Sequence, residues 1–167
     1  MALVVEDGTG LPNANSYVSV VFADDYVERF YPDEFSQWDD LTGPRKEALL
    51  IQAAKFLDNI LRWNSQLLDE EQSLNFPRIP FRDINGRLVT GVPSIIQESQ
   101  VRLTIESLNA PLYTPQSLIR IDTYGNSSQT YFQPKVDGNG VLIDVKQTLL
   151  NLAYGVSQTS IVELERA

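Results

Sequence analysis

Cysteine and histidine are both absent from the 167 residues, and methionine occurs once. Without thiols there are no disulfides, thiolate nucleophiles or cysteine zinc sites. Without imidazole, nucleophile–histidine triads are excluded together with the commonest metal ligand. Long apolar runs are missing too: none approaches the roughly 18 residues that a membrane-spanning helix needs. No basic-then-apolar leader opens the sequence, so a soluble, unprocessed protein with no membrane contact is expected. Positive charge is scarce, with 13 Lys and Arg against 22 Asp and Glu, a net charge of −9. Affinity for nucleic acid comes mainly from cations that neutralise phosphates, so a non-specific DNA-coating protein is disfavoured.

What remains is an ordinary globular composition, 43% apolar and 21% charged, which fits a single domain over residues 1–167. The longest helical pattern is PRKEALLIQAAKFLDNILRW at 44–63, where Leu49, Leu50, Ala53, Ala54, Leu57, Ile60 and Leu61 recur at the spacing of one helix face. Thr42, Gly43 and Pro44 supply its start. A shorter helix is expected at 23–31, ended by Pro32, and an irregular aromatic connection at 31–43 should fold Phe35 and Trp38 onto the core. LNFPRIP, at 74–80, has two prolines three residues apart and reads as extended. Asn85-Gly86 marks a turn.

A second long helix is expected at 93–109, with two apolar stripes: Ile95, Ile96 and Leu103 on one side, Val101, Ile105 and Leu108 on the other. Such a helix is packed from two directions, one of them the chain's own core and the other a neighbouring helix or subunit. Alternation at 118–136, around Tyr124 and Tyr131, indicates a β-hairpin, and 141–154 a further helix stopped by Gly155. The tail at 155–167 is extended, with Ile161 and Leu164 in a segment able to add a strand. The expected fold class is therefore mainly helical α+β, a small bundle with a hairpin and extended termini.

Most chemistry-like patterns have plainer readings. Residues 135–146 imitate a calcium loop, but Lys135 and Lys146 stand where its first and twelfth positions need anionic ligands. The glycine-rich DGTGLPN at 7–13 lacks the third glycine of a dinucleotide fingerprint and the Lys-Ser/Thr of a P-loop, so it reads as a surface turn. Adjacent carboxylates at 24–25, 39–40 and 69–71 point apart on one element and read as solvated faces or helix starts. No spacing argues for catalysis, and neither an enzyme nor a cofactor is expected. The one basic cluster is Arg78, Arg82 and Arg87, interleaved with Phe76 and Phe81. It suits a protein contact or single-stranded nucleic acid, and its plainest reading is two core phenylalanines with arginines reaching water.

Taken in order, MALVVEDGTGLPNANSYVSV, ALLIQAAKFLDNILRW, SLNFPRIP, DINGR and VPSIIQESQVRL resemble a family of tailed-phage head–tail connector proteins, sometimes labelled "putative DnaT-like single-stranded-DNA-binding protein". The resemblance covers roughly residues 1–110. This chain has Asn64 where similar proteins often have glycine after the RW pair, and Ser99 where they often have alanine. The resemblance implies a non-enzymatic virion adaptor, made in the host cytoplasm and present at the head–tail interface as a ring, expected twelve-fold. Its partners would be further copies of itself, the portal, the downstream tail or neck protein, and genomic DNA passing through the lumen without specific binding. Expected interface residues are Val101, Ile105, Leu108, Tyr124, Tyr131, Ile161 and Leu164. The alternative is a single-stranded-DNA-binding replication accessory that uses Phe76, Arg78, Phe81, Arg82 and Arg87.

Overall fold

In the computed structural model, the described residues are 2–60, 62–63, 65–82, 86–109, 112 and 156–157. The expected hairpin at 118–136, the helix at 141–154, the calcium-like loop, and Tyr124, Tyr131, Ile161 and Leu164 lie outside them. The helices are α1 (Val20–Phe30), α2 (Pro32–Asp39), α3 (Gly43–Ile60) and α4 (Ser94–Asn109). Four two-residue strands, β1 (Arg62–Trp63), β2 (Gln66–Leu67), β3 (Arg78–Ile79) and β4 (Val156–Ser157), complete a mainly helical α+β fold. β1 pairs antiparallel with β4, Arg62 opposite Ser157, and β2 pairs antiparallel with β3, Gln66 opposite Ile79.

Two helix boundaries differ from the sequence pattern for identifiable reasons. α1 begins at Val20 rather than 23 because the Ser19 hydroxyl accepts a hydrogen bond from the Phe22 N–H at 3.1 Å, a side-chain cap on an otherwise orphaned donor. The connection expected to be irregular at 31–43 contains α2. Pro32 ends α1 and also opens α2 at its first turn, where a proline has no N–H to lose and where Asp33 and Glu34 favour the positive helix end. α3 ends at Ile60, and the chain then turns extended, so Trp63 belongs to a strand rather than to the last helical turn.

The core is two clusters strung along α3 and α4. The first half of α3 contributes Leu49 and Leu50 to a cluster with Val18, Ala23, Val27 and Trp38, and Phe35 packs against it partly buried. The second half contributes Ala53, Ala54, Phe56 and Leu57 to a cluster with Tyr17, Leu74, Phe76 and Phe81. α4 serves both: Ile96 and Leu103 enter the second cluster, Val101 and Ile105 the first. The two stripes of α4 are thus real, and the chain fills both. Val101 is fully buried and Ile105 is 2% exposed, with Leu108 partly buried beside them. This stripe, expected at an outside contact, occupies the chain's own interior because α1, α2 and the first half of α3 pack against it.

Candidate functional site

The segment 14–19 buries Ala14, Tyr17 and Val18 in the two clusters, and polar side chains fix its backbone between them. Asn15 accepts the Val4 N–H through Oδ1 at 2.8 Å and donates through Nδ2 to the Ala2 carbonyl at 2.9 Å. From α4, Gln100 accepts the Tyr17 N–H at 2.8 Å and donates to the Ser16 hydroxyl at 2.7 Å and the Leu50 carbonyl at 2.9 Å. Gln100 is fully buried with its amide satisfied. Buried amides are stable on such terms and costly otherwise.

Tyr17 carries this order across to α3. Its hydroxyl donates to Asp58 Oδ1 at 2.5 Å and accepts the Phe76 N–H at 3.3 Å. Asp58 Oδ2 accepts the Asn75 N–H at 3.1 Å, while the Asn75 side chain donates to the Asp58 carbonyl at 2.7 Å. Burial pushes the Asp58 carboxyl up to about 6, against the opposing pull of Tyr17, Asn75 and the Arg78 guanidinium. Burial, with the neighbouring Asp58 charge, also holds the Tyr17 hydroxyl well above its ordinary value. Arg78 donates from Nε to the Ser65 carbonyl and hydroxyl, both at 3.0 Å, and from Nη1 to the Asn75 carbonyl at 3.0 Å. Nη2 also reaches the Ser65 carbonyl.

Beside this network lies a cleft of about 580 Å³ whose wall includes Lys55, Asp58, Asn59, Trp63, Asn75 and Arg78. It is the candidate site. Sequence reasoning missed it because Lys55, Asp58 and Asn59 look like the polar face of an amphipathic helix. Nothing local announces a partner 41 residues away in Tyr17.

The structure separates the expected basic–aromatic cluster. Phe76 is 1% and Phe81 4% exposed, and with Trp63 they form an edge-to-face trio with centroids 4.8–5.7 Å apart. Arg78 is half-buried and turned to main-chain carbonyls. Arg82 and Arg87 are exposed, with Arg82 donating to the Gly86 carbonyl at 2.8 Å and forming an antiparallel bridge with Leu88.

The glycine-rich loop does gather backbone donors onto an anion, and the chain supplies that anion. Glu6, buried, accepts the N–H groups of Gly8 at 2.9 Å and of Gly10 and Leu11 at 2.8 Å. Gly10 takes φ +86°, and a Cβ there would stand 3.1 Å from the Asp69 side chain. Among the expected acidic pairs, Asp24 is structural. It accepts from Trp38 Nε1 at 2.7 Å and pairs with the buried Lys46 at 2.9 Å, whose ammonium lies 5.1 Å over the Trp38 ring. Among the described residues no acidic cluster is arranged to hold a metal ion, and no helix is long and apolar enough to cross a membrane.

A family model described as "Putative DnaT-like ssDNA binding protein" matches residues 1–167. No curated protein and no solved structure matches the chain.

Proposed function

The chain belongs to the family described as "Putative DnaT-like ssDNA binding protein", and within it we propose a non-enzymatic structural role: a head–tail adaptor whose copies form a ring that joins a phage portal to the next neck or tail component. The observation that carries this reading is the fate of the one basic–aromatic stretch. Phe76 and Phe81 are inside the fold, and Arg78 is engaged with Ser65 and Asn75, so that stretch offers single-stranded bases no stacking platform. The net charge of −9 suits a channel wall along which DNA slides without sticking. The motifs behind the resemblance also do scaffold work, with Asn15 tied to Ala2 and Val4, Ser16 to α4, and Tyr17 to both α3 and α4.

The family description itself favours a second reading, a single-stranded-DNA-binding accessory protein. One pair of measurements separates the two. The adaptor reading expects the chain in purified tailed particles, as ring density beneath the portal. It also expects no fluorescence-anisotropy change with labelled oligodeoxynucleotides at tens of micromolar protein in low salt. Tight binding that falls steeply with added salt, with no such density, would overturn it in favour of the second reading.

A further inference from the structure

The cleft beside Asp58 holds chemistry that the scaffold does not use up. Lys55 is exposed on its wall and Arg78 half-buried. Neither wall cation shares the ion pairs that Lys46 makes with Asp24 and Asp39, and the carboxylate on this wall, Asp58, attracts Arg78 without a direct ion pair. In an acidic chain, two such cations on one concave wall make a local site for an anion. Arg78 commits three of its N–H groups to Ser65 and Asn75, and a guanidinium has five in all, which leaves two for an outside acceptor. The Asp58 carboxylate turns its oxygens to the Tyr17 hydroxyl and the Asn75 N–H.

The rest of the wall suits a planar, polar ring. Phe76 and Phe81 meet the Trp63 indole at 82° and 72°, and Trp63, half-buried, borders the cleft. Asn59 and Asn75 spend Nδ2 on the Lys55 and Asp58 carbonyls, each at 2.7 Å, which keeps both amide oxygens as acceptors. At about 580 Å³ the space is within the range of small-ligand clefts.

We propose that this cleft binds a nucleotide unit, with its phosphate on Lys55 and Arg78, its base against Trp63, and the base's amino hydrogens on the Asn59 and Asn75 amide oxygens. A free mononucleotide and one residue of a single strand present the same groups. The site stands on the cleft alone and requires neither a ring nor a DNA-binding role for the whole chain.

Trp63 is the reporter, since the other tryptophan, Trp38, is fully buried in the other cluster. The full chain would be titrated in low salt with adenosine 5′-monophosphate and, separately, with a ten-residue oligodeoxyadenylate, following tryptophan emission. Saturable quenching by the mononucleotide is expected toward millimolar concentrations, too weak to register in anisotropy at tens of micromolar protein, lost in Trp63→Phe and shifted about ten-fold to weaker binding in Lys55→Ala. Lys55 is exposed, so an unchanged urea midpoint verifies that variant's fold. Quenching by the mononucleotide alone supports a free-nucleotide site, and tighter, salt-sensitive quenching by the oligomer supports a single strand. No saturable quenching at millimolar nucleotide overturns the proposal, as does equal affinity in Lys55→Ala. Oligomer binding that neither Trp63→Phe nor Lys55→Ala alters also overturns the site, while leaving the single-stranded-DNA reading of the chain standing.

Discussion

Asp58 sits on what the sequence presents as the solvent side of α3, yet its carboxylate joins the 14–19 segment to the 73–78 turn through Tyr17 and Asn75. Burial raises it from 3.8 to about 6, so the folded state holds this proton more tightly than the unfolded chain does. The contribution is fully present below about pH 4 and is lost as pH rises through 6. At about 1.4 kcal/mol per pH unit of displacement, the folded protein should lose on the order of 2 kcal/mol from this group between pH 4 and pH 7. Urea unfolding of wild type and Asp58→Asn at both pH values isolates it: the stability difference between the two proteins should move by that amount, in favour of wild type at the lower pH. A constant difference would show that Asp58 titrates as an ordinary surface carboxylate. Glu6 teaches a related lesson. DGTGLPN resembled a failed phosphate loop, and its N–H groups do converge on an anion, but a side chain of the same chain fills the place.

At the scale of elements, caps and prolines account for the boundaries better than periodicity does. Ser19 starts α1 by accepting the Phe22 N–H, so Ser19→Ala should cost about 1 kcal/mol, read as a lowered urea midpoint with an unchanged slope. Ser19→Asp should hold the wild-type value or exceed it, because a carboxylate can accept the same N–H. Pro32 looked only like a stop. Its fixed φ ends one helix and begins the next, and α2 then buries Trp38 over Ala23 and Val27 in the same cluster. α4 was legible as a helix with two apolar stripes. What its second stripe meets was not legible, because the answer is α1 and α2, whose packing is set by Trp38, Lys46 and Asp24 rather than by anything in the α4 sequence.

For the whole molecule, the arrangement of two clusters along α3 and α4 decides how the chain unfolds. The 18 residues of α3 span roughly 27 Å at 1.5 Å per residue, long enough to cross both clusters. Trp38 reports on one and Trp63 on the other. Since α3 and α4 are continuous through both, the described part should unfold as one cooperative unit. In Trp63→Phe, emission then follows Trp38 alone, and in Trp38→Phe it follows Trp63 alone. Within each variant the fluorescence and far-ultraviolet circular dichroism midpoints should coincide. Separate midpoints in either would mean that the clusters melt independently.

The sequence by itself determined the composition limits, the mainly helical class and the apolar faces of α3 and α4, because each of these follows from residue type and spacing along one element. It left Phe76 and Phe81 open between core and contact surface, and the fold buries both. Only the tertiary structure decided which polar residues are structural and which border a cleft. Asp58, Gln100, Glu6 and Lys46 are all polar residues whose partners come from elsewhere in the chain, and a one-dimensional pattern holds no record of such pairings. The same holds for the cleft itself, where Lys55 from α3 and Arg78 from β3 border one space beside Asp58, two cations on one wall of an acidic protein.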